Sequence, residues 1–399
     1  DKAATLDPVA ATYYGVTGHD AKWPDLSPRG AATRLATYRN ALADIAALPL
    51  AGDDWDKLAV ESTRQWVKEA IDYHDSGDWL IDLDSMASYA QDTVDIFEHM
   101  DKSSLAAWDA VCTRLETMGD VLSGYRERLQ QGLDEGNTVA KRQVHAVVRQ
   151  RRVAASDDSA YETLVGELTE SDFQAEFGDR LRTAIDSAKA AQAEFGEWLG
   201  STYLSGAVDK DAVGRDRYIR AARTFLGTDI DPIETYEWGW SEVARLRARM
   251  EAVAAEIVPG GGIPEALEVL KTDPARAAAT RQNFIDFMTA RNQDALERLE
   301  GSHFDVPDEI RAFEVKLQAP GAPLGAYYVG PNEDFTRPGV VWWSHGDSPG
   351  PFPLYDEVST LYHEGFPGHH LQVGVQLTRS EQLTRLHRVM IWYSGLGEG

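Results

Sequence analysis

Up to about residue 301 the chain reads almost wholly as amphipathic helix, with apolar residues recurring at spacings of three and four and few β-branched runs. The stretch SLAAWDAVCTRLETMGDVLSGYRERLQQGL (104–133) places Leu105, Trp108, Val111, Leu115, Met118, Leu122, Tyr125 and Leu129 on one stripe, and 171–199 behaves alike. Such stripes bury a helix face against its neighbours, so they predict a large helical scaffold over 1–259 and carry no chemistry. DPIETYEWGWSEVARLRARMEAVAAEIV (231–258) reads as a helix capped by Asp231 with Pro232 in its first turn. It closes into the glycines 260–262, the expected boundary before a second portion, 263–399. A further helix pattern runs from 274 to 301. Beyond it RAFEVKLQ, GAYYVGP and GVVWWSHG are short, aromatic and β-branched, which predicts a small sheet at about 311–345. Helix signals return in FPLYDEVSTLYHE and LTRSEQLTRLHRVMIWYSG, so the expected fold is mainly α with one small sheet beside a histidine-bearing helix.

Composition narrows the chemistry. Thirty-nine basic residues face 65 acidic ones, a formal net charge of −26, which is a poor surface for a phosphate backbone or an anionic membrane. The expectation is no nucleic-acid and no membrane partner. Cys112 is the only cysteine, so metal or nucleophilic chemistry has to come from histidine and carboxylates. The chain opens DKAATLDPVA, without an initiator Met, a basic n-region or an apolar h-region. The reading therefore favours a cytoplasmic location and leaves room for a removed leader or a trimmed start.

The candidate chemistry lies in TLYHEGFPGHHLQ (360–372). In the zinc-peptidase pattern H-E-x-x-H, two histidines at i and i+4 share a helix face and the glutamate acts as base. Here position i+4 is Pro367. On an unbroken helix His369 would be turned about 120° from His363, and His370 would lie roughly 10 Å further along, so neither could share a metal with it. Proline breaks the hydrogen-bond ladder and Gly365 and Gly368 are weak helix formers, so the helix is expected to break at GFPG. Two looped-out residues would make His369 the second ligand; three would choose His370. The reading favours His369, because Gly368 lets backbone pack close beside a metal, with His370 serving substrate or the outer shell. For the third ligand Glu398, 34 residues beyond Glu364, is preferred to His387 and Glu381, whose neighbours are those of solvated faces. Isolated His19, His74, His99, His145 and His303 read as surface or core residues.

YHEGFPGHHLQ, the later GEG and the upstream AYYVGPNEDFTRPGVVWW resemble the bacterial family known as domain of unknown function 885. Its members look like zinc-dependent metallopeptidases of the glutamate-zincin kind. The resemblance covers most of the chain and implies a zincin-like fold, one zinc ion held by His363, Glu398 and one of His369 or His370, and Glu364 acting on the metal-bound water. It also implies a further helical portion after Gly399. The expected reaction is hydrolysis of short or unfolded peptides, with small amides or esters as alternative substrates and an inert helical binding protein as the non-enzymatic alternative. Tyr327, Tyr328, Arg337, His345 and Tyr393 are the candidates for holding substrate or the developing oxyanion. Each could equally pack in the sheet or pair at the surface.

Overall fold

The computed structural model describes residues 2–48, 52–318, 325–346, 348–391 and 393–398. It is mainly helical with small sheets, and among the described residues no helix is long and apolar enough to cross a membrane. The described residues fall into two compact units, 2–214 with 380–391, and 215–318 with 325–379 and 393–398. The glycines 260–262 lie inside the second unit.

The first unit is built from helices whose apolar stripes meet. The long 104–133 pattern forms two helices, α1 (Leu105–Glu116) and α2 (Met118–Asp134), separated at Thr117. Its hydroxyl bonds back to the Thr113 carbonyl at 2.9 Å, a competition that bends helices. Both halves keep the expected face: Trp108, Val111, Leu115, Met118, Leu122, Tyr125 and Leu129 are buried, whereas Leu105 is exposed. α3 (Lys141–Ala154) and α4 (Gln174–Trp198) add Val144, Val147, Leu181, Ala184, Ala188 and Phe195 to the same core. One buried cation inside it is well partnered. Arg114 donates to the carbonyls of Lys22 and His19 and to the Thr12 hydroxyl, at 2.8, 3.2 and 3.2 Å.

In the second unit α5 (Pro232–Ile257) starts as its sequence dictates, with the Asp231 carboxylate accepting from the Ile233 and Glu234 amides and Pro232 leading the first turn. α6 (Ile263–Thr272) follows. The next helix, α7 (Arg281–Leu299), begins seven residues later than the 274 start of its pattern. Thr280 is its cap, accepting from the Asn283 amide, and the residues before it pair instead as a two-residue strand with Phe352–Pro353.

The expected sheet forms from β1 (Phe313–Leu317), β2 (Gly325–Val329) and β3 (Gly339–Ser344). Residues 319–324 of the expected span lie outside the described residues. β3 is central, parallel to β1 and antiparallel to β2, with Tyr328 opposite Val341 and Tyr327 opposite Trp342. Alternation puts Phe313, Val315, Val341, Trp343 and Tyr328 on one face, against Phe284 and Met288 of α7 and Leu361. Tyr327 is on the other. Then come α8 (Glu357–Glu364), α9 (His369–Thr378) and α10 (Ser394–Gly397). The helix pattern of 377–395 yields the last two residues of α9, Arg385–Val389 and the start of α10; Trp392 within it lies outside the described residues.

Candidate metal centre

The helix does break at GFPG, and three contacts set how. α8 ends at Glu364, and the Gly365 amide still bonds the Leu361 carbonyl at 2.7 Å. The Phe366 amide leaves the ladder and donates to Asn292 Oδ1 of α7 at 2.7 Å, with Phe366 buried beneath. The His370 amide then bonds the Gly365 carbonyl at 3.1 Å, which starts α9. A Cβ on Gly368 would overlap the carbonyls of Tyr362 and His363, and one on Gly365 would collide with Asn292 Oδ1 and the Leu361 carbonyl. Gly368 is therefore needed for a close return over the end of α8.

The fold brings His363, Glu364, His369 and Glu398 together. His363 and His369 face each other with ring centroids 4.5 Å apart. Glu398 Oε2 is 3.0 Å from His363 Nε2 and its Oε1 3.6 Å from His369 Nε2. Glu364 Oε2 lies 3.9 Å from His369 Nε2. His363, Glu364 and His369 each offer a ligand atom, all within 4.8 Å of one another, the metal-competent group found among the described residues. That grouping and the ion-pair distances select different carboxylates. The shorter distances, and two oxygens reaching two imidazoles, make Glu398 the better partner for the histidine pair. Glu364 is the more enclosed, its side chain 12% exposed against 49% for Glu398.

Burial pushes the Glu364 carboxyl up to about 7, with Glu398 adding to the rise and His363 opposing it. Burial likewise lowers the His369 imidazole, against the pull of Glu398, and Gln372 hydrogen-bonds its side chain. A neutral imidazole and a carboxyl poised near neutrality are the protonation states that metal ligation and base catalysis require.

His370 is placed differently. It is fully buried, with Nε2 2.7 Å from the Ile310 carbonyl and Nδ1 2.9 Å from the Tyr328 hydroxyl. Of the five residues expected at substrate, Tyr328 is seen against the histidines, its ring beside His369 and its hydroxyl engaged by His370. Tyr327 points from the opposite face of the sheet. Arg337 sits in the turn after β2, its amide bonded to Asn332 and its guanidinium reaching the Gly330 carbonyl at 3.4 Å. His345 is wedged between Phe284 and Phe352, each centroid 4.4 Å away, an apolar setting that lowers its imidazole. Tyr393 packs its ring on Gly227. Of the rival third ligands, His387 is occupied by Ser62 Oγ at 2.7 Å and Thr384 Oγ1 at 2.6 Å, and Glu381 is exposed.

Sequence reasoning missed Asn292 and Gly339. A Cβ on Gly339 would overlap Tyr328 Oη and His370 Nδ1. An asparagine on the core side of α7 was the signal for the first: a buried amide there needs backbone partners.

These features define a mainly helical protein with a His-Glu-His-Glu cluster at a helix break beside a small sheet. The chain belongs to the family described as bacterial protein of unknown function (DUF885), which it matches over residues 8–399. Among solved structures it is similar to one described as "the putative lipoprotein from Colwellia psychrerythraea", at TM-score 0.79 and 16% identity, covering 97% of this chain and 72% of that one. A second, a "putative lipoprotein of unknown function from Shewanella oneidensis", gives TM-score 0.60 and 15% identity over 98% and 72%. At these identities the likeness is one of fold. No curated protein matches the chain.

Proposed function

We propose that the protein is a zinc-dependent hydrolase of the zincin kind, cleaving peptide bonds in short or unfolded peptides. The observation that carries this reading is the convergence of His363 Nε2 and His369 Nε2 on the two oxygens of Glu398, at 3.0 and 3.6 Å, with Glu364 alongside. Ligand atoms about 2.0–2.2 Å from a shared tetrahedral zinc lie roughly 3.3–3.5 Å from one another, and the two distances bracket that value. Two imidazoles and a carboxylate are the donor set of catalytic zinc sites, whereas calcium and magnesium prefer oxygen ligands alone. His363, His369 and Glu398 would hold the ion.

Zinc, when bound, supplies Lewis acidity toward water and toward a carbonyl oxygen. Glu364 takes the proton from the attacking water at its carboxylate and passes it to the leaving amine nitrogen. The amide C–N bond breaks, and the water oxygen stays on the acyl carbon. A carboxyl near 7 in the free site suits both halves of that transfer at neutral pH. The phenol of Tyr328 is bonded to His370, which ties it to the histidine pair. β2, which carries Tyr328, is an edge strand, and an extended peptide pairing along it would run beside the histidines.

The test is metal content and turnover on a panel of peptides and acyl amides, for wild type and Glu364→Gln. The variant is expected to keep one zinc and lose roughly 10²- to 10⁴-fold in rate. Full activity in Glu364→Gln, or a wild-type protein that takes up no zinc, overturns the reading. The lipoprotein descriptions of the two similar structures favour a location outside the cytoplasm, against the expectation from the N-terminal sequence; cell fractionation decides between them.

A further inference from the structure

Beside His369 runs a short chain of hydrogen bonds. His370 Nε2 faces the Ile310 carbonyl, which can only accept, so Nε2 carries the ring proton. Its other nitrogen, Nδ1, meets the Tyr328 hydroxyl at 2.9 Å. Phe313 closes the edge of His370, centroids 5.3 Å apart at 66°. The anchored phenol ring lies nearly parallel to the His369 imidazole, at 28° and 6.4 Å between centroids, an offset arrangement. Gly339 admits the pair, since any Cβ there would overlap both Tyr328 Oη and His370 Nδ1.

We propose that Tyr328 is a positioning residue for the metal ligand His369, clamped by His370, and that His370 is barred from the metal because both its nitrogens are committed. The inference rests on the zinc reading above and adds to it why His369 rather than His370 serves the ion. Fixing the phenol at its hydroxyl fixes its ring plane, which limits the tilt open to His369; Gln372 holds the same imidazole through a hydrogen bond. Groups that orient a ligating imidazole typically change metal affinity by roughly 10- to 100-fold when removed.

The experiment measures Zn²⁺ affinity by competition with a chromophoric chelator for wild type, Tyr328→Phe, Gly339→Ala and His370→Ala. Co²⁺ absorption reports ligand geometry, and far-ultraviolet circular dichroism reports folding. Tyr328→Phe, which removes one oxygen, is expected to fold, to lose roughly 10- to 100-fold in Zn²⁺ affinity and to shift the Co²⁺ bands without abolishing them. Gly339→Ala is expected to do the same by separating the pair. A folded Tyr328→Phe with wild-type affinity and spectrum overturns the clamp while leaving the zinc reading intact. Loss of the Co²⁺ spectrum in a folded His370→Ala identifies His370 as a ligand and overturns it too. A wild-type protein that binds neither ion overturns both readings.

Discussion

Three enclosed carboxyl groups, Asp92 and Asp95 in the first unit and Glu364 in the second, are each pushed up to about 7, with burial the leading cause in every case. Their surroundings differ. Asp92 rises further beside Asp7, Asp95 and Asp82 and accepts from the Tyr13 hydroxyl at 3.4 Å; Asp95 rises beside Glu98 and is held down by Arg151. Glu364 stands beside two imidazoles and a second carboxylate that face one another within ligand distance. A raised carboxyl thus reports enclosure in acidic surroundings, and becomes a candidate for chemistry where other lone pairs converge with it. The buried polar groups of the first unit teach the same from the opposite side. Arg114 and Gln192 spend their donors and acceptors on fixed partners, and so hold helices together.

The sharpest break between the two environments is removal of a converging imidazole. His363→Ala should lose Zn²⁺ by more than the roughly 10- to 100-fold typical of outer partners, and all measurable turnover with it, by chelator competition and peptide assay. Retained zinc and activity would erase the distinction between Glu364 and the aspartates.

A smaller effect is expected at Asn292→Ala, which leaves the buried Phe366 amide without its acceptor. The cost should be about 1–3 kcal/mol in chemical denaturation, with weaker zinc binding because His369 follows directly from that turn.

The smallest effect separates the acids themselves. The folded pKa of Asp95 lies above its usual 3.8, so the folded state holds the proton more tightly than the unfolded state, and stability falls as pH rises from about 4 to about 7. Asp95→Asn should therefore stabilise the protein more at pH 8 than near pH 3, and leave zinc binding untouched. A midpoint difference that grows on acidification would reverse the sign and reject the assignment.

Much of the helical architecture is legible in local patterns, because a buried helix face must repeat every three to four residues and a cap must precede it. Asp231 and Pro232 starting α5, and the three short β-branched runs forming β1 to β3, are of this kind. Thr117 and Thr280 show where the patterns overreach: each interrupts an apolar spacing through a local hydrogen bond that periodicity does not register.

The residues of HEGFPGHH determine by themselves that an unbroken helix cannot pair His363 with a later histidine, since Pro367 occupies the fourth position and geometry separates the rest. They do not determine which histidine returns. That is decided by groups distant in the chain: Asn292 catching the Phe366 amide, the Ile310 carbonyl and Tyr328 hydroxyl taking both nitrogens of His370, and Glu398 meeting His363 and His369. The physical reason is that a side chain's direction at a helix break is set by the partners that satisfy its buried polar atoms, and those partners become neighbours only when the chain has folded.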